Sequence, residues 1–315
     1  MTAPSSAPAG SPEVLDVSIL IPAYNEAEGI ARVIGEVHAA VSRWAGTSEV
    51  IVVDDGSSDR TRELAAALPC RVLVQPVRRG YGAAIKLGLL HGCGRYVAIL
   101  DADGSYSADD LAKLLQHIPR WDMVSGVRDR EWGSWAPARR LVKWLLGFIA
   151  QWGTGRPIRD PNSGLKVFRR DVASALASWL PDGFSCSTSL LMGFLACGYS
   201  VHYEPIHYRP RVGRSKFRPL RDSWNYLRVV MRFIHAFRPW RLYLPLASAA
   251  CVVALAVEML PADLWLLRRM ARLALLGLAV AALVVGAWQQ RHARRNLQRI
   301  RLAVEAAEKS HAHEG

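Results

Sequence analysis

"YVAILDADGSYSADDL", residues 96–111, decides the fold. An apolar run, Tyr96 to Leu100, stops at two aspartates spaced by one residue, Asp101 and Asp103. The run is short and apolar, which predicts a buried strand. The two carboxylates then stand where the backbone leaves the sheet. The pattern recurs upstream. Val14 to Pro22 is an apolar, β-branched run followed by "AYNE", and Glu49 to Val53 is cut off by "DDGSSD". Cys70 to Gln75 reads as another strand. Between these runs lie helical segments: Asn25 to Val41, with Ile30, Val33, Ile34 and Val37 at helical spacing, then Thr61 to Leu68. "RRGYGAAIKLGLLHG", residues 78–92, is a glycine-rich turn into a helix. Strands alternating with helices of about 10–15 residues predict an α/β fold with a doubly wound, mostly parallel sheet. Ligands of such sheets sit outside the carboxyl ends of the strands. "YNE", "DDGSSD" and "DADGS" all fall at such ends, so one crevice collects the carboxylates.

The chain has 315 residues, room for one large domain or a domain with appendages. Hydrophobic residues make up 51%, which supports a sizeable core and excludes global disorder. The net charge of +13 suits nucleic acid, a membrane surface or a phosphorylated substrate. The five cysteines form no CxxC pair and no metal-ligand cluster, which points to reduced thiols in a cytosolic compartment. Residues 1–13 are rich in Ala, Pro and Ser and are expected to be disordered. They contain neither the basic nor the apolar region of a secretory signal.

Beyond Trp121 the pattern changes. Ser134 to Trp152 and Arg221 to Arg241 mix Arg, Lys and Trp with aliphatics. Each reads as an amphipathic helix at a bilayer interface or as a core helix of a basic domain. Leu242 to Leu260 is nearly uncharged and long enough to span the roughly 30 Å hydrocarbon layer, with Glu258 near its end. Leu273 to Trp288 is a second, shorter run. The pair predicts a two-helix transmembrane hairpin over residues 242–290, and a buried helical hairpin is the alternative. Arg238 and Arg241 precede it, and Arg291, Arg294, Arg295, Arg299 and Arg301 follow it. This places both ends and the catalytic domain in the cytoplasm, under the cell inner or plasma membrane. Arg268, Arg269 and Arg272 in the connector argue the other way.

Two carboxylates at i, i+2 on a strand end suit a hard divalent cation, Mg²⁺ or Mn²⁺, which takes carboxylate oxygens together with substrate phosphates. The competing reading is a capped helix start, with Ser105 or Ser107 as the cap. "ILIPAYNEAEGI", "EVIVVDDGSSDRT", "RGYGAAIKLGL" and "YVAILDADGSY", in this order and at these spacings, resemble the donor half of a family-2 glycosyltransferase with the GT-A nucleotide-sugar fold. "DPNSGLKVFRRDV", the stretch from "DGFSCSTSLL" to "GRSKF" and the two apolar runs resemble its polyprenyl-phosphate branch, which includes dolichyl-phosphate mannose synthases.

The resemblance implies the following roles. Pro22, Tyr24 and Glu26 line the nucleoside pocket, and Asp54 and Asp55 contact base and ribose. Gly80, Gly82 and Lys86 belong to a loop near the nucleotide. Asp101 faces the nucleotide, and Asp103 binds a metal bridging the diphosphate, with Asp101 as a further candidate ligand. Asp160 orients the acceptor or helps hold the metal, or is a turn aspartate before Pro161. Arg128 lies near the diphosphate. Arg211, Arg214, Lys216 and Arg218 grip the lipid phosphate or the donor diphosphate, or form a solvated loop. The chain departs from the family at Ser105, where relatives often have glutamine. It departs again at "GFSCSTSLL", where many have an acidic residue and Ser185, Ser187, Thr188 and Ser189 offer only hydroxyls.

The expected reaction is inverting transfer of a sugar from a nucleotide-sugar, GDP-mannose or UDP-hexose, to dolichyl or undecaprenyl phosphate. Residues 14–125 form the nucleotide-sugar half, 126–220 the acceptor half, 221–241 a juxtamembrane helix and 291–315 a basic tail. The partners are donor, lipid acceptor and membrane, not nucleic acid, and homo-oligomerisation is left open. A lipid or glycan hydroxyl is the alternative acceptor and needs a general base, for which Asp160 is the candidate. A membrane-anchored binding protein without catalysis is a further alternative. A dehydrogenase is disfavoured, because "GYGAA" lacks the third glycine of GxGxxG and follows the third strand.

Overall fold

A computed structural model describes residues 15–129, 137–209, 219–259, 261 and 264–314. Residues 1–14, with Val14 of the expected first strand, and 210–218, with Arg211, Arg214, Lys216 and Arg218, lie outside the described residues.

The N-terminal half alternates as its apolar periodicity predicts. The strands are β1 (Val17–Ala23), β2 (Ser48–Asp54), β3 (Arg71–Val74) and β4 (Tyr96–Ile99). The helices are α1 (Ile30–Val41), α2 (Thr61–Ala66), α3 (Tyr81–His91) and α4 (Ala108–Leu115). Then come β5 (Met123–Arg128), α5 (Pro137–Thr154), β6 (Lys166–Arg169), α6 (Arg170–Ala175), α7 (Cys186–Cys197) and β7 (Val201–Ile206). The helices α8 (Pro219–Phe237), α9 (Trp240–Ala256) and α10 (Trp265–Glu314) complete the chain.

The seven strands form one sheet in the order β3-β2-β1-β4-β6-β5-β7. All pairs are parallel except those of β6, which runs antiparallel to β4 and to β5. Every residue of β1 is buried, as expected for a strand covered on both faces. Leu20, Ile51, Val53, Val97 and Ile99 face one core, shared with α3, α6, α7 and α8. Val17, Ile19, Ile21, Val50, Val52 and Ala98 face the other, shared with α1 and α4. The alternation follows from the two-residue period of a strand.

The two basic amphipathic segments have different surroundings. The helix α8 buries Tyr226, Val230, Phe233, Ile234 and Phe237 in the first core and is a core helix. In α5, Leu145, Phe148 and Trp152, at i, i+3 and i+7, stand exposed. Two helices, from Trp240 and from Trp265, are long and apolar enough to cross a membrane. They pack through small side chains, Ala247 and Ala250 against Ala279 and Ala282. Glu258 is tied to Arg268 at 2.7 Å and to Arg272 at 2.9 Å across the turn between them.

The helix α10 does not end with the apolar run at Trp288. It continues unbroken through the basic stretch, which the sequence presented as a tail. Ala293, Ile300 and Val304 are buried, and the last two belong to the first core. Asn296 donates to the Ala236 carbonyl at 3.3 Å, and Glu308 pairs with Arg169. The start of α9 and the C-terminal half of α10 therefore meet the α/β domain at the same end of the hairpin.

Candidate active site

The crevice is built by loops at the carboxyl ends of β1, β2 and β4. Asn25, in the left-handed region at φ 53°, turns the chain after β1. Its side chain accepts from the Ser58 amide at 2.8 Å, and the Glu26 amide donates to Thr61 Oγ1 at 2.8 Å. The "YNE" and "DDGSSD" loops are thus joined. Burial pushes the Asp59 carboxyl up, but hydrogen bonds from Thr61 and Ala27 outweigh it and hold the pKa below the usual range.

Asp55 fixes the glycine-rich loop. Its carboxylate accepts from the Arg79 amide at 2.7 Å and from the Gly80 amide at 2.9 Å. Gly80 adopts φ +110°, a conformation a side chain rarely tolerates. Asp54, also buried, accepts from the Ser57 amide at 3.1 Å. Pro22 is buried within β1, while Tyr24 and Glu26 are half-buried beyond it. The Arg78 guanidinium lies 3.9 Å from the Tyr24 ring centroid. Lys86 bonds the Leu180 carbonyl at 3.2 Å and pairs with Asp182, so it joins α3 to the segment before α7. The Gly82 amide donates to the Asp182 carbonyl at 2.7 Å, which holds the same junction.

Asp101 and Asp103 follow β4 and are half-buried. The Tyr81 hydroxyl donates to Asp101 at 3.0 Å, and Asp103 accepts from the Ser105 amide at 3.0 Å. Ser107 caps α4, accepting from the Asp109 amide at 3.3 Å. The capped helix start and the carboxylate pair coexist, because Ser107 does the capping. The donor set of Asp101 and Asp103 is carboxylate oxygen throughout, which fits a hard divalent ion.

The antiparallel direction of β6 brings the acceptor-side motif here. Its start, not its end, meets the crevice, so "NSGLK" stands beside "DADG". A Cβ at Gly164 would come within 2.8 Å of the Asp101 carboxyl carbon, so any side chain there would push the carboxylate aside. Arg128, at the end of β5, holds Asp160 through Nε to Oδ2 at 2.7 Å and Nη2 to Oδ1 at 2.8 Å. Burial raises the Asp160 pKa, but the Arg128 hydrogen bonds and charge, with the Lys166 charge, bring it below the ordinary value.

Several residues of the site escaped the sequence reading. Lys166 is fully buried, and its ammonium bonds the Ser163 carbonyl and the Ser187 hydroxyl, the latter at 2.8 Å. Burial lowers its pKa to about 8, against the opposing pull of Asp160. Thr188 donates to Asn162 at 2.6 Å. The hydroxyls of "SCSTS" therefore hold the "NSG" loop. Beyond β7, the Arg209 amide donates to the Ser105 carbonyl at 2.9 Å, and Arg128 lies 5.2 Å from the Tyr208 ring centroid. The alternating spacing of Lys166 with Phe168 was the one available signal, a charged residue on a strand face that is otherwise apolar. A cavity of about 430 Å³ between α6, α8 and α10, lined by Trp179, Arg232, Asn296 and Arg299, shares no residue with this site.

The family model "Glycosyl transferase family 2" matches residues 18–176, which contain all of these donor loops and Asp160. The chain belongs to this family. Glycosyltransferase AglJ of Haloferax volcanii is 30% identical over 86% of this chain and 89% of its own length. A dolichyl-phosphate hexose transferase of the same organism is 30% identical over 65% of this chain and 87% of its own. The low-salt glycan biosynthesis hexosyltransferase Agl6 is also 30% identical, but the match spans only 53% of its length. An undecaprenyl-phosphate 4-deoxy-4-formamido-L-arabinose transferase of Pseudomonas paraeruginosa is 30% identical over 65% of this chain and 61% of its own. Among solved structures, glucosyl-3-phosphoglycerate synthase from Mycobacterium tuberculosis, in complex with Mn²⁺ and UDP-glucose, superposes with TM-score 0.55. It shares 22% identity over 70% of this chain and 80% of its own, which establishes the glycosyltransferase fold.

Proposed function

We propose that this family-2 glycosyltransferase moves a sugar from a nucleotide-sugar, GDP-mannose or UDP-hexose, to a polyprenyl phosphate at the cytoplasmic face of a membrane, with inversion at the anomeric carbon. The observation that carries the choice of acceptor is the Arg128–Asp160 pair. A hydroxyl acceptor needs a base matched to neutral pH. Asp160, clamped at both oxygens and held below its ordinary pKa, is a poor one. A lipid monophosphate needs none. By analogy with phosphoserine its second pKa is roughly 6, so near neutrality it is largely a dianion and a nucleophile already.

The residues then act by position and charge. Tyr81 and Gly164 set Asp101, and Asp55 sets the Gly80 loop. Arg128 and Lys166 place two cations beside the acceptor-side motif. Asp101 and Asp103 would hold Mg²⁺ or Mn²⁺, which supplies charge stabilisation to the departing nucleoside diphosphate when bound. Arg211, Arg214, Lys216 and Arg218 are proposed for the lipid phosphate. They follow Arg209, which is anchored to the loop of the aspartates.

The length and apolar character of α9 and α10, enough to cross a membrane, support the same reading. Leu244, Val252, Leu255, Leu276 and Val284 are exposed along these helices. Such a surface is costly in water and is covered by lipid tails in a bilayer. The exposed stripe of α5 suits the interface.

The deciding experiment compares polyprenyl phosphate with the free polyprenol as acceptor, using full-length enzyme in membranes and a panel of labelled nucleotide-sugars. Use of the phosphate alone, with an acid-labile product, is expected. Equal use of the alcohol, or an acid-stable product, would move the assignment to a hydroxyl acceptor.

A further inference from the structure

The edge strand β7 carries His202 and Glu204 two residues apart, so both side chains stand on one face of the sheet. His117, two residues beyond the last residue of α4, closes over that face. Glu204 Oε2 lies 3.1 Å from His117 Nε2 and 3.3 Å from His202 Nε2. The two imidazole centroids are 4.3 Å apart, and one ligand atom from each residue lies within 4.8 Å of the others. All three side chains are half-buried, and Trp121 stacks on His202 at 5.4 Å, which restrains the ring.

We propose that His117, His202 and Glu204 form a binding site for a borderline divalent cation of the zinc class. Two imidazole nitrogens and a carboxylate oxygen are a zinc donor set, with the fourth position left to solvent. Magnesium and calcium prefer oxygen throughout. The spacing agrees as well. Metal–ligand distances of about 2.0–2.1 Å give a tetrahedral edge of roughly 3.3 Å, close to the two separations observed. One carboxylate oxygen, Glu204 Oε2, faces both ring nitrogens. A cation would take the point where the three ligand atoms converge.

This site is separate from the aspartates at the strand ends. His202 and Glu204 lie opposite Val124 and Gly126, inside the sheet register. Its role follows from its anchors, which are 87 residues apart in the chain. The cation would clip the C-terminal end of α4 to the sheet edge. The same helix starts at the Ser107 cap, just after Asp103, so the clip fixes the helix that carries the donor loop at its other end.

The test uses full-length protein in detergent with Asp103→Ala, which removes the proposed oxygen site. Zn²⁺ and Co²⁺ alone are the probes. The expected result is about one more equivalent of Zn²⁺ per chain than in the same protein carrying His117→Gln and His202→Gln. A visible Co²⁺ spectrum of four-coordinate type should be lost in that variant. The His311 and His313 side chains near the C-terminus supply a background common to both proteins, so the difference is what is read. Saturating Zn²⁺ should also raise the melting temperature by roughly 5 °C, scaled for a domain of this size. Glu204→Gln, which keeps the shape of the side chain, provides the second variant should the histidine pair be needed for folding, and it should weaken Zn²⁺ binding at least ten-fold. Equal stoichiometry and equal spectra with and without these residues would overturn the proposal.

Discussion

Arg128 meets Asp160 side-on, through Nε and Nη2, with two parallel hydrogen bonds of 2.7 and 2.8 Å. The side chains are only 16% and 10% exposed, so the pair is worth more intact than either member alone. Asp160→Asn leaves a guanidinium without its carboxylate, and an expected cost of about 3–5 kcal/mol follows. Because the folded pKa of Asp160 is lowered, its contribution to stability is full above the unfolded value and is lost as pH falls through the folded one. With a phosphate acceptor the acid limb of the rate profile should instead lie near pH 6, where such a phosphate titrates. Measured kcat/KM against pH should keep that limb in Asp160→Asn. Its disappearance would make Asp160 the base.

Chelation tests the carboxylate pair. Excess EDTA should abolish transfer, and Mn²⁺ or Mg²⁺ should restore it. Asp103→Ala should be inactive with an unchanged circular dichroism spectrum, since the residue lies half-buried at a strand end. Gly164→Ala should displace the Asp101 carboxylate, whose atoms are the nearest that a Cβ there would meet. A loss of about 10- to 100-fold in donor kcat/KM is expected, equivalent to one charge-assisted hydrogen bond. Full activity in EDTA would remove the metal from the site.

Lys166 makes stability depend on alkaline pH. Its folded pKa of about 8 lies below its unfolded value, so below pH 8 the native state bears the cost of a buried cation. That cost, on the order of 3 kcal/mol, is relieved as pH rises from about 8 toward the unfolded pKa. Melting temperature should therefore gain over this window relative to Lys166→Met, whose profile should be flatter. A wild-type profile parallel to that of Lys166→Met would mean that Lys166 keeps its ordinary pKa.

The return of α10 onto the α/β domain predicts a remote effect. Ile300 and Val304 are buried in the core shared with α6 and α8. Ile300→Ala should cost about 2–5 kcal/mol. A chain ending at Gln290 should lose stability in the catalytic domain while keeping both apolar helices. Thermal unfolding in detergent, followed by loss of nucleotide binding, checks both. Unchanged unfolding after truncation would show that the helix end is a solvated extension.

The strands and helices through Leu115 were legible because each is short, periodic and bounded by a polar cluster. That information is local: a two-residue period buries a strand, and an abrupt carboxylate marks its end. The same reasoning placed Asp101 and Asp103 just beyond the end of a strand and marked both apolar helices. It did not reach Lys166. A single lysine between Leu165 and Val167 carries no local sign of its partners, which come from Asp160, Ser163 and Ser187 on other segments. Nor did it fix what Asp160 does. In sequence, "RDPNS" reads as a turn, an acceptor contact or a base. Only the pairing of β6 antiparallel to β5 sets Asp160 against Arg128, which holds its carboxyl below the ordinary pKa. The basic stretch after Trp288 behaved likewise. Its charges read as a basic tail; Ile300 and Val304 recur four residues apart in it, and whether that stripe meets solvent or a core depends on where the hairpin returns the chain. Hydrophobic period and strand-end chemistry are properties of neighbouring residues, whereas the electrostatics of a buried group are set by elements far apart in the chain that only the packed fold brings within a few ångströms.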